Sequence, residues 1–141
     1  MTSSEQVELV RRFNRSWSER DLAGALECAH AELEFDWSDS LGPLKGIYMG
    51  HEGLRRFWSE LWEAWDEFRP ELEEVIEWGE ERLVSVNLIR ARGKGSGIAI
   101  EARGAIVWTV RDRKLFKGKM FQNKEEALEA VGPGAEAADT T

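Results

Sequence analysis

Asp36 has the surroundings that favour acid/base chemistry. Its neighbours in the sequence are Phe35 and Trp37, and it lies near the end of a segment, residues 32–37, in which apolar and acidic residues alternate. A carboxyl group buried against aromatic rings has a raised pKa, and a general base works best when its pKa is near neutrality. The alternation allows either face of a strand, so the other interpretation is a solvated aspartate at a strand end. Asp39 is a second candidate, although a loop position favours a capping role.

Tyr48, the only tyrosine, is the next candidate for a chemical role. It lies in the loop predicted from Asp39 to Gly50, which we expect to border the mouth of a pocket, where its hydroxyl would donate to a ligand. His51 begins a predicted helix and is expected to fix its N-terminus, while His30 lies at a predicted helix end. These two histidines and the single cysteine, Cys28, lack the spacing of metal ligands, so the sequence predicts no metal site and no cofactor.

Helices with apolar residues at three- and four-residue spacing must position these side chains. The third predicted helix has the broadest apolar stripe, and Pro70 stops it because the residue before a proline is pushed to an extended conformation. The predicted helices are Ser4–Ser18, a short helix from Leu22 to Ala29 capped by Asp21, His51–Phe68 and Lys124–Val131.

The longest strand signal is Gly97–Val110, where apolar residues occupy the even positions. Ala102 and Gly104 are small residues on that apolar face, and they leave room for a pocket in a concave sheet. Short glycine-containing turns join this run to its neighbours, as in antiparallel hairpins. The fold prediction is therefore α+β: a curved antiparallel sheet of five or six strands whose concave face is covered by helices and encloses a cone-shaped cavity. The predicted strands are residues 32–37, Glu71–Trp78, Arg82–Arg92, Gly97–Val110 and Lys114–Phe121.

The composition narrows the class of protein. A chain of 141 residues predicts a single domain, placed over residues 1–132 with a flexible C-terminal tail over 133–141. A net charge of −8 argues against a nucleic-acid partner. No apolar run suits a membrane span and no signal peptide is visible, so the sequence predicts a cytoplasmic protein without a membrane partner, which the lone cysteine also suits.

Charge is unevenly placed along the chain. Between residues 60 and 81 there are ten acidic residues and one arginine, whereas residues 90–119 contain nine basic and two acidic residues. Neighbouring acidic and basic strands would pair across the sheet. The alternative is a basic patch that attracts an anionic ligand or partner.

Three stretches carry a resemblance to a known family. They are VELVRRFNRSWSERDLAGAL, GIYMGHEGLRRFW, and the run from GAIVWTVRDRKLF to NKEEALEAVG. Over about Glu5 to Val131 the chain resembles the nuclear transport factor 2-like superfamily, and within it the SnoaL-like branch, which is related to ketosteroid isomerases and polyketide cyclases. The resemblance implies a cone-shaped pocket and often a dimer through the convex sheet face. Because this fold hosts unrelated chemistries, it implies little about the reaction.

The family's functional residues transfer only in part. Ketosteroid isomerases hold a general-base aspartate where this chain has Asp36, or Asp39 if the strand end is shifted. Their two oxyanion donors match Phe13 and Ile106 here, neither of which can donate a hydrogen bond. Loss of one such donor costs roughly a hundred- to a thousandfold in rate. Steroid isomerisation is therefore rejected.

Three functional hypotheses remain. The first is a cofactor-independent isomerase, cyclase or hydrolase acting on a hydrophobic substrate, with Asp36 as acid/base and Tyr48 as a donor. The second is a binding module that holds an apolar small molecule without turnover, and the third is a dimeric interaction domain. A homodimer through the outer sheet face is predicted from Ala105, Val107, Leu115 and Phe121. The residues predicted to bind the ligand are Phe13, Trp17, Trp58, Trp62, Ile106, Gly118 and Met120.

Overall fold

Helices and strands follow one another in the order that the sequence predicts, with two additional short strands. The computed structural model describes residues 1–132 and 136–137. The helices are α1 (Ser3–Ser18), α2 (Leu22–Cys28), α3 (Gly50–Ala64) and α4 (Lys124–Val131). The strands are β1 (Ala29–Asp36), β2 (Ile47–Met49), β3 (Trp65–Trp78), β4 (Arg82–Gly93), β5 (Ala99–Arg111), β6 (Lys114–Phe121) and β7 (Glu136–Ala137).

All seven strands belong to one sheet, in the order β2-β1-β6-β5-β4-β3-β7. Neighbouring strands are antiparallel, except that β1 runs parallel to β6. These two strands are far apart in the sequence, so no tight hairpin forces them to be antiparallel. The α+β class and the curved sheet are confirmed, and the parallel β1–β6 pair makes the sheet mixed.

Helices α1 and α3 pack on the concave face because each buries one apolar stripe. The α1 stripe includes Val10, Phe13 and Trp17, and the α3 stripe includes Phe57 and Leu61. A capping box formed by Thr2 and Glu5 begins α1, and Asp21 caps α2 through the backbone N–H of Gly24. Such caps satisfy N–H groups that have no partner inside the helix.

The third helix ends four residues before its predicted end. Trp65 already pairs with Gly93, so β3 includes the segment predicted as the last turn of α3. Pro70 lies inside β3, opposite Ile89. It is tolerated there because, within the described residues, β7 pairs only with Ile76 and Glu77, so β3 is an edge strand at the proline.

A β-bulge between Thr109 and Val110 changes the alternation along β6. Leu115, not Phe116, is consequently in the main core, while Phe116 contacts the His30 ring. Across the bulge, the buried positions of β6 change from Leu115 to Gly118 and Met120.

Helix α4 covers part of the outer sheet face. Ala105 and Phe121 are buried there with Ala127 and Val131, and Val107 packs against the same cluster. Leu115 is fully buried in the main core instead. The apolar residues on which the homodimer prediction rested are therefore occupied within the chain, so the homodimer stays a prediction without their support.

Ion pairs link the acidic strand β3 to the basic strand β4 and to β5. Arg90 lies 3.4 Å from both Glu71 and Glu101, and Arg103 lies 2.8 Å from Glu73. The acidic and basic strands thus pair across the sheet, as in the first of the two charge interpretations. Such exposed pairs contribute little to stability, because solvent and salt screen them.

Two further expectations concern the termini and membranes. Residues 133–135 and 138–141 of the predicted tail lie outside the described residues, whereas residues 136–137 pair with β3. Among the described helices, none combines the length and the apolar character that a bilayer crossing requires.

Candidate functional site

A cavity of about 280 Å³ lies between the helices and the concave face of the sheet, and we call it the inner cavity. Helix α1 contributes Phe13, Asn14 and Trp17 to its wall, and α3 contributes Phe57 and Leu61. The remaining lining residues are Phe35, Trp37, Ser40, Leu41, Gly42, Pro43, Leu44, Trp65, Phe68, Pro70, Asn87, Ile89, Ile100, Ala102, Arg103, Gly104, Ala105, Ile106, Met120, Phe121 and Gln122.

Alternation along β5 accounts for four of the six wall residues that this strand contributes, since Arg103 and Ala105 are at odd positions. Ile100, Ala102, Gly104 and Ile106 line the inner cavity. A side chain added at Gly104 would meet no atom closer than 3.6 Å, so the small residue leaves real space. The expected pocket against Ala102 and Gly104 is therefore present in the structure.

Packed aromatic rings support one wall of the inner cavity: Phe13 and Phe35 line it, and Trp108 packs behind both. The Phe13 ring meets Trp108 edge to face at 5.3 Å, and Phe35 stacks on Trp108 at 5.8 Å. Such ring contacts are worth about 0.5–1.5 kcal/mol each beyond the area they bury. This wall is consequently rigid and apolar.

Gly118 does not line the inner cavity but makes this aromatic wall possible. A Cβ at Gly118 would lie 2.8 Å from Cε3 of Trp108, inside van der Waals contact. Trp108 itself is fully buried. The role of Gly118 is thus to accept the indole ring, not to contact a ligand.

The mouth of the cavity is formed by the loop between β1 and β2 and by the start of β5. Leu41 and Ile100 line it, and they are 87% and 41% exposed. Trp37 also lines the cavity, and its indole Nε1 is buried without a hydrogen-bond partner among the described residues. Two exposed apolar side chains, Leu41 and Ile100, therefore border the opening.

Asp36 lies on the opposite side of β1 from the inner cavity and is absent from its wall, whereas the hypothesis of acid/base chemistry requires its carboxylate to reach a ligand there. Phe35 faces the cavity, and alternation turns the next residue outward. The Asp36 carboxylate accepts hydrogen bonds from Ser38 Oγ at 2.6 Å and Ser38 N at 2.9 Å, and Lys119 Nζ lies 3.2 Å away.

These contacts also set the charge state of Asp36. Burial by itself raises the pKa of this carboxyl, but the hydrogen bonds from Ser38 and the charge of Lys119 outweigh it and hold the pKa below its ordinary value. Asp39 lies 3.2 Å from the same Lys119 nitrogen and is absent from the cavity wall. Asp36 has neither the raised pKa nor the placement that a general base in the cavity requires, and Asp39 lacks that placement.

Tyr48 is likewise outside the cavity wall. Its ring is buried against Phe57, and its hydroxyl donates to Glu60 Oε2 at 2.8 Å. Burial and the hydrogen bond to Glu60 raise the pKa of Tyr48 to about 12. The hydroxyl is thus committed to Glu60, which corrects the expectation that it borders the pocket mouth.

The predicted ligand-binding residues divide into two groups. Phe13, Trp17, Ile106 and Met120 line the inner cavity. Trp58 packs on Trp17 at 4.5 Å, and Trp62 lies under the Arg20 guanidinium at 4.0 Å. Trp58 and Trp62 are therefore a second layer behind Trp17. His51 is not among the described residues that line the cavity. Its Nε2 lies 2.9 Å from the Ala29 carbonyl oxygen, a contact that connects α3 to β1.

Two asparagines in the wall escaped the sequence analysis. Asn14 Nδ2 donates to Asn87 Oδ1 at 2.8 Å, and Asn87 Nδ2 donates to Ser85 Oγ at 3.3 Å. Trp108 Nε1 also donates to Ser85 Oγ, at 3.0 Å. The sequence does indicate that Asn14 faces inward, since it lies four residues after Val10 and three before Trp17, on the apolar stripe of α1.

Ionisable groups are nearly absent from the wall. Arg103 is the one ionisable residue among the described residues that line the cavity. Its guanidinium is bound to Glu73 at 2.8 and 3.3 Å, and its side chain is 64% exposed. The inner cavity is thus an apolar space with a neutral amide pair in its wall.

Comparison with known families assigns the fold. The model of the SnoaL-like domain matches residues 10–117. This chain belongs to the SnoaL-like family. No curated protein matches it. The resemblance to the SnoaL-like branch that the sequence suggested is thus confirmed, and it agrees with the helices packed over a curved sheet.

Solved structures share the SnoaL-like fold at low sequence identity. An NTF2-like protein of Burkholderia pseudomallei is 21% identical, with 93% of this chain and 98% of that chain covered and a TM-score of 0.76. TerC, co-crystallised with polyporic acid, is 21% identical over 90% of this chain and 98% of its own, with a TM-score of 0.74. A Mycobacterium tuberculosis protein in complex with estradiol-17β-hemisuccinate is 14% identical, with 86% of this chain and 95% of that chain covered and a TM-score of 0.72.

Proposed function

We propose that this SnoaL-like protein binds an apolar small molecule in the inner cavity. The observation that carries the proposal is the composition of the cavity wall. Aromatic and aliphatic side chains surround most of the space, and Arg103, the one ionisable group that the described residues contribute to the wall, is bound to Glu73. Burial of apolar surface supplies about 25 cal/mol per Å². An apolar molecule would therefore be stabilised in this cavity.

The volume limits the size of the ligand. Ligand pockets commonly measure about 300–1,000 Å³, so 280 Å³ is at the small end. An apolar cavity of about 150 Å³ holds benzene. A molecule of about two fused rings fits the available space. The ligands seen in TerC and in the M. tuberculosis protein support small-molecule binding in this fold.

Acid/base catalysis by Asp36 is not part of the proposal. Its carboxylate is paired with Lys119 on the other side of β1, and its pKa is lowered, so it neither reaches a ligand in the cavity nor holds a proton near neutrality. Tyr48 is bound to Glu60. Binding without turnover is the function that the wall residues favour.

The test is a cavity-filling substitution with a matched control. Ala102 lines the cavity and Ala99 does not, although both are exposed alanines of β5. We expect naphthalene to bind the wild-type protein and Ala99→Phe with equal affinity, and Ala102→Phe at least about tenfold more weakly, the equivalent of 1.4 kcal/mol. Quenching of tryptophan fluorescence would measure both, since Trp17 and Trp37 line the cavity. Equal binding to the two variants, or none to the wild type, would overturn the proposal.

A further inference from the structure

Asn14 is a buried polar side chain of the inner cavity whose carbonyl oxygen accepts no hydrogen bond from the described residues. Gln122 donates to the Asp39 carbonyl, Ser40 Oγ accepts from Gly42 N, and Arg103 is paired with Glu73. Asn14 donates to Asn87, which leaves its second N–H and its Oδ1.

The free atoms of Asn14 are reachable. Asn14 Oδ1 has no partner among the described residues, yet protein atoms do not enclose it, in contrast to Trp37 Nε1. Asn14 is only 7% exposed and lines the cavity, so the inner cavity is where that oxygen is accessible. A ligand donor bonded to this oxygen would satisfy a hydrogen-bond acceptor that the protein itself leaves without a partner.

The groups behind Asn14 allow it to donate as well as accept. Ser85 Oγ accepts from Trp108 Nε1, a group that can only donate, and the Ser85 hydroxyl hydrogen is then free to turn toward Asn87. If both carboxamides flip, so that each amide oxygen and nitrogen exchange places, Asn87 donates to Asn14 and Asn14 presents its N–H₂ group to the cavity. The same pair therefore suits a carbonyl oxygen or a hydroxyl group.

A charged ligand group has no counterpart in the described wall. The guanidinium of Arg103 is held by Glu73 on the exposed side of the sheet, and no carboxylate or histidine lines the cavity. Moving an unpaired ion into such a space is far more costly than moving a hydroxyl.

We propose that the ligand is an uncharged, largely apolar molecule with one hydroxyl or carbonyl oxygen hydrogen-bonded to Asn14, which Asn87 and Ser85 hold in position. This rests on the proposed function, since it names the class of ligand for the same cavity. It also assigns Asn14 as a ligand-contacting residue and Asn87 as a positioning residue.

Calorimetric titration with naphthalene, 2-naphthol and 2-naphthoate tests the ligand class near neutral pH. One net hydrogen bond is worth about 1 kcal/mol, so we expect 2-naphthol to bind about fivefold more tightly than naphthalene. The anion 2-naphthoate should bind more weakly than either. If none of the three binds, the proposed function fails. If naphthalene binds as tightly as 2-naphthol, or 2-naphthoate binds most tightly, this inference is overturned while the proposed function stands.

A double variant and a spectroscopic signature assign the hydrogen bond to Asn14. Replacing both amides, Asn14→Leu with Asn87→Leu, avoids leaving one of them unpaired. The variant should keep its affinity for naphthalene and lose the preference for 2-naphthol; a retained preference would contradict the assignment. In the wild-type protein, the side-chain N–H₂ signals of Asn14 should shift with 2-naphthol beyond the shift that naphthalene causes. Equal shifts would also contradict it, whether or not the double variant folds.

Discussion

The indole ring of Trp108 occupies the space that a side chain at position 118 would need. Gly118 lies opposite Trp108 in the β5–β6 pair, and a Cβ there would be 2.8 Å from Cε3 of the indole ring and closer still to Cζ3. Trp108 in turn contacts Phe13 and Phe35 and donates to Ser85. The glycine thus supports both the aromatic wall and the amide pair of the inner cavity.

We expect Gly118→Ala to lower the free energy of unfolding by about 1–3 kcal/mol, because the added methyl forces the fully buried Trp108 out of position. Urea denaturation measures the change. Gly104→Ala is the matched control, since the new Cβ would meet only the Phe121 carbonyl oxygen, at 3.6 Å. That variant should be within about 1 kcal/mol of the wild type and can even be more stable. Equal losses in the two variants would contradict this role for Gly118.

A second prediction concerns the stability of the protein in acid. The pKa of Asp36 is lower in the folded protein than its ordinary value, because the Ser38 hydrogen bonds and Lys119 outweigh burial. Its contribution to stability is therefore complete above the unfolded pKa of about 3.9 and is lost as pH falls through the folded pKa. Asp36→Asn should remove this contribution at neutral pH, so its free energy of unfolding should approach that of the wild type as the pH falls.

The control for Asp36 is Asp39→Asn. Asp39 shares Lys119 but is 60% exposed, so its pair is worth about 0–1 kcal/mol. A carboxyl NMR titration of the wild type measures the Asp36 pKa directly. A value above its ordinary range would contradict the structure and revive the hypothesis of acid/base chemistry.

Alternation and helical spacing predicted most of the fold because they follow from which side of each element is buried. These patterns fail to predict the fold where the pairing between two strands, and not the burial of one face, determines the structure. Residues 65–68 continue the apolar stripe of α3, yet they form β3 because β4 extends to Gly93 and pairs with them. The β-bulge that turns Phe116 away from the core is a property of two strands together, so the sequence of β6 alone does not reveal it.

The polar residues of the candidate site were harder to predict than the apolar residues that line the cavity. Period-two alternation states that Phe35 and Asp36 face opposite ways, but it does not say which of them faces inward, and a one-residue difference moves the carboxylate from the cavity to Lys119. Asn14 and Asn87 are polar residues at inward positions, a pattern visible in the sequence but not interpreted. Their hydrogen bond joins residues 73 positions apart, which only the folded chain brings together.

The third prediction concerns the ionisation of Tyr48. Because it is the only tyrosine in the sequence, the ultraviolet absorbance of phenolate reports on it alone. Burial and the Glu60 carboxylate raise its pKa to about 12, against about 10 for a free phenol. Glu60→Gln should move the titration toward the ordinary value, since the carboxylate charge is lost while burial remains. Glu63→Gln, an exposed glutamate of the same helix, should leave it unchanged.

The sign of the stability change follows from the direction of this shift. A raised folded pKa means that the contribution of Tyr48 is complete below about pH 10 and is lost as pH rises through about 12. Tyr48→Phe cannot ionise, so the difference in free energy of unfolding between it and the wild type should shrink across that range. If the phenol of the wild-type protein titrates near its ordinary value while the protein is folded, Tyr48 is not bound to Glu60, and its hydroxyl becomes available as the donor that the sequence first suggested.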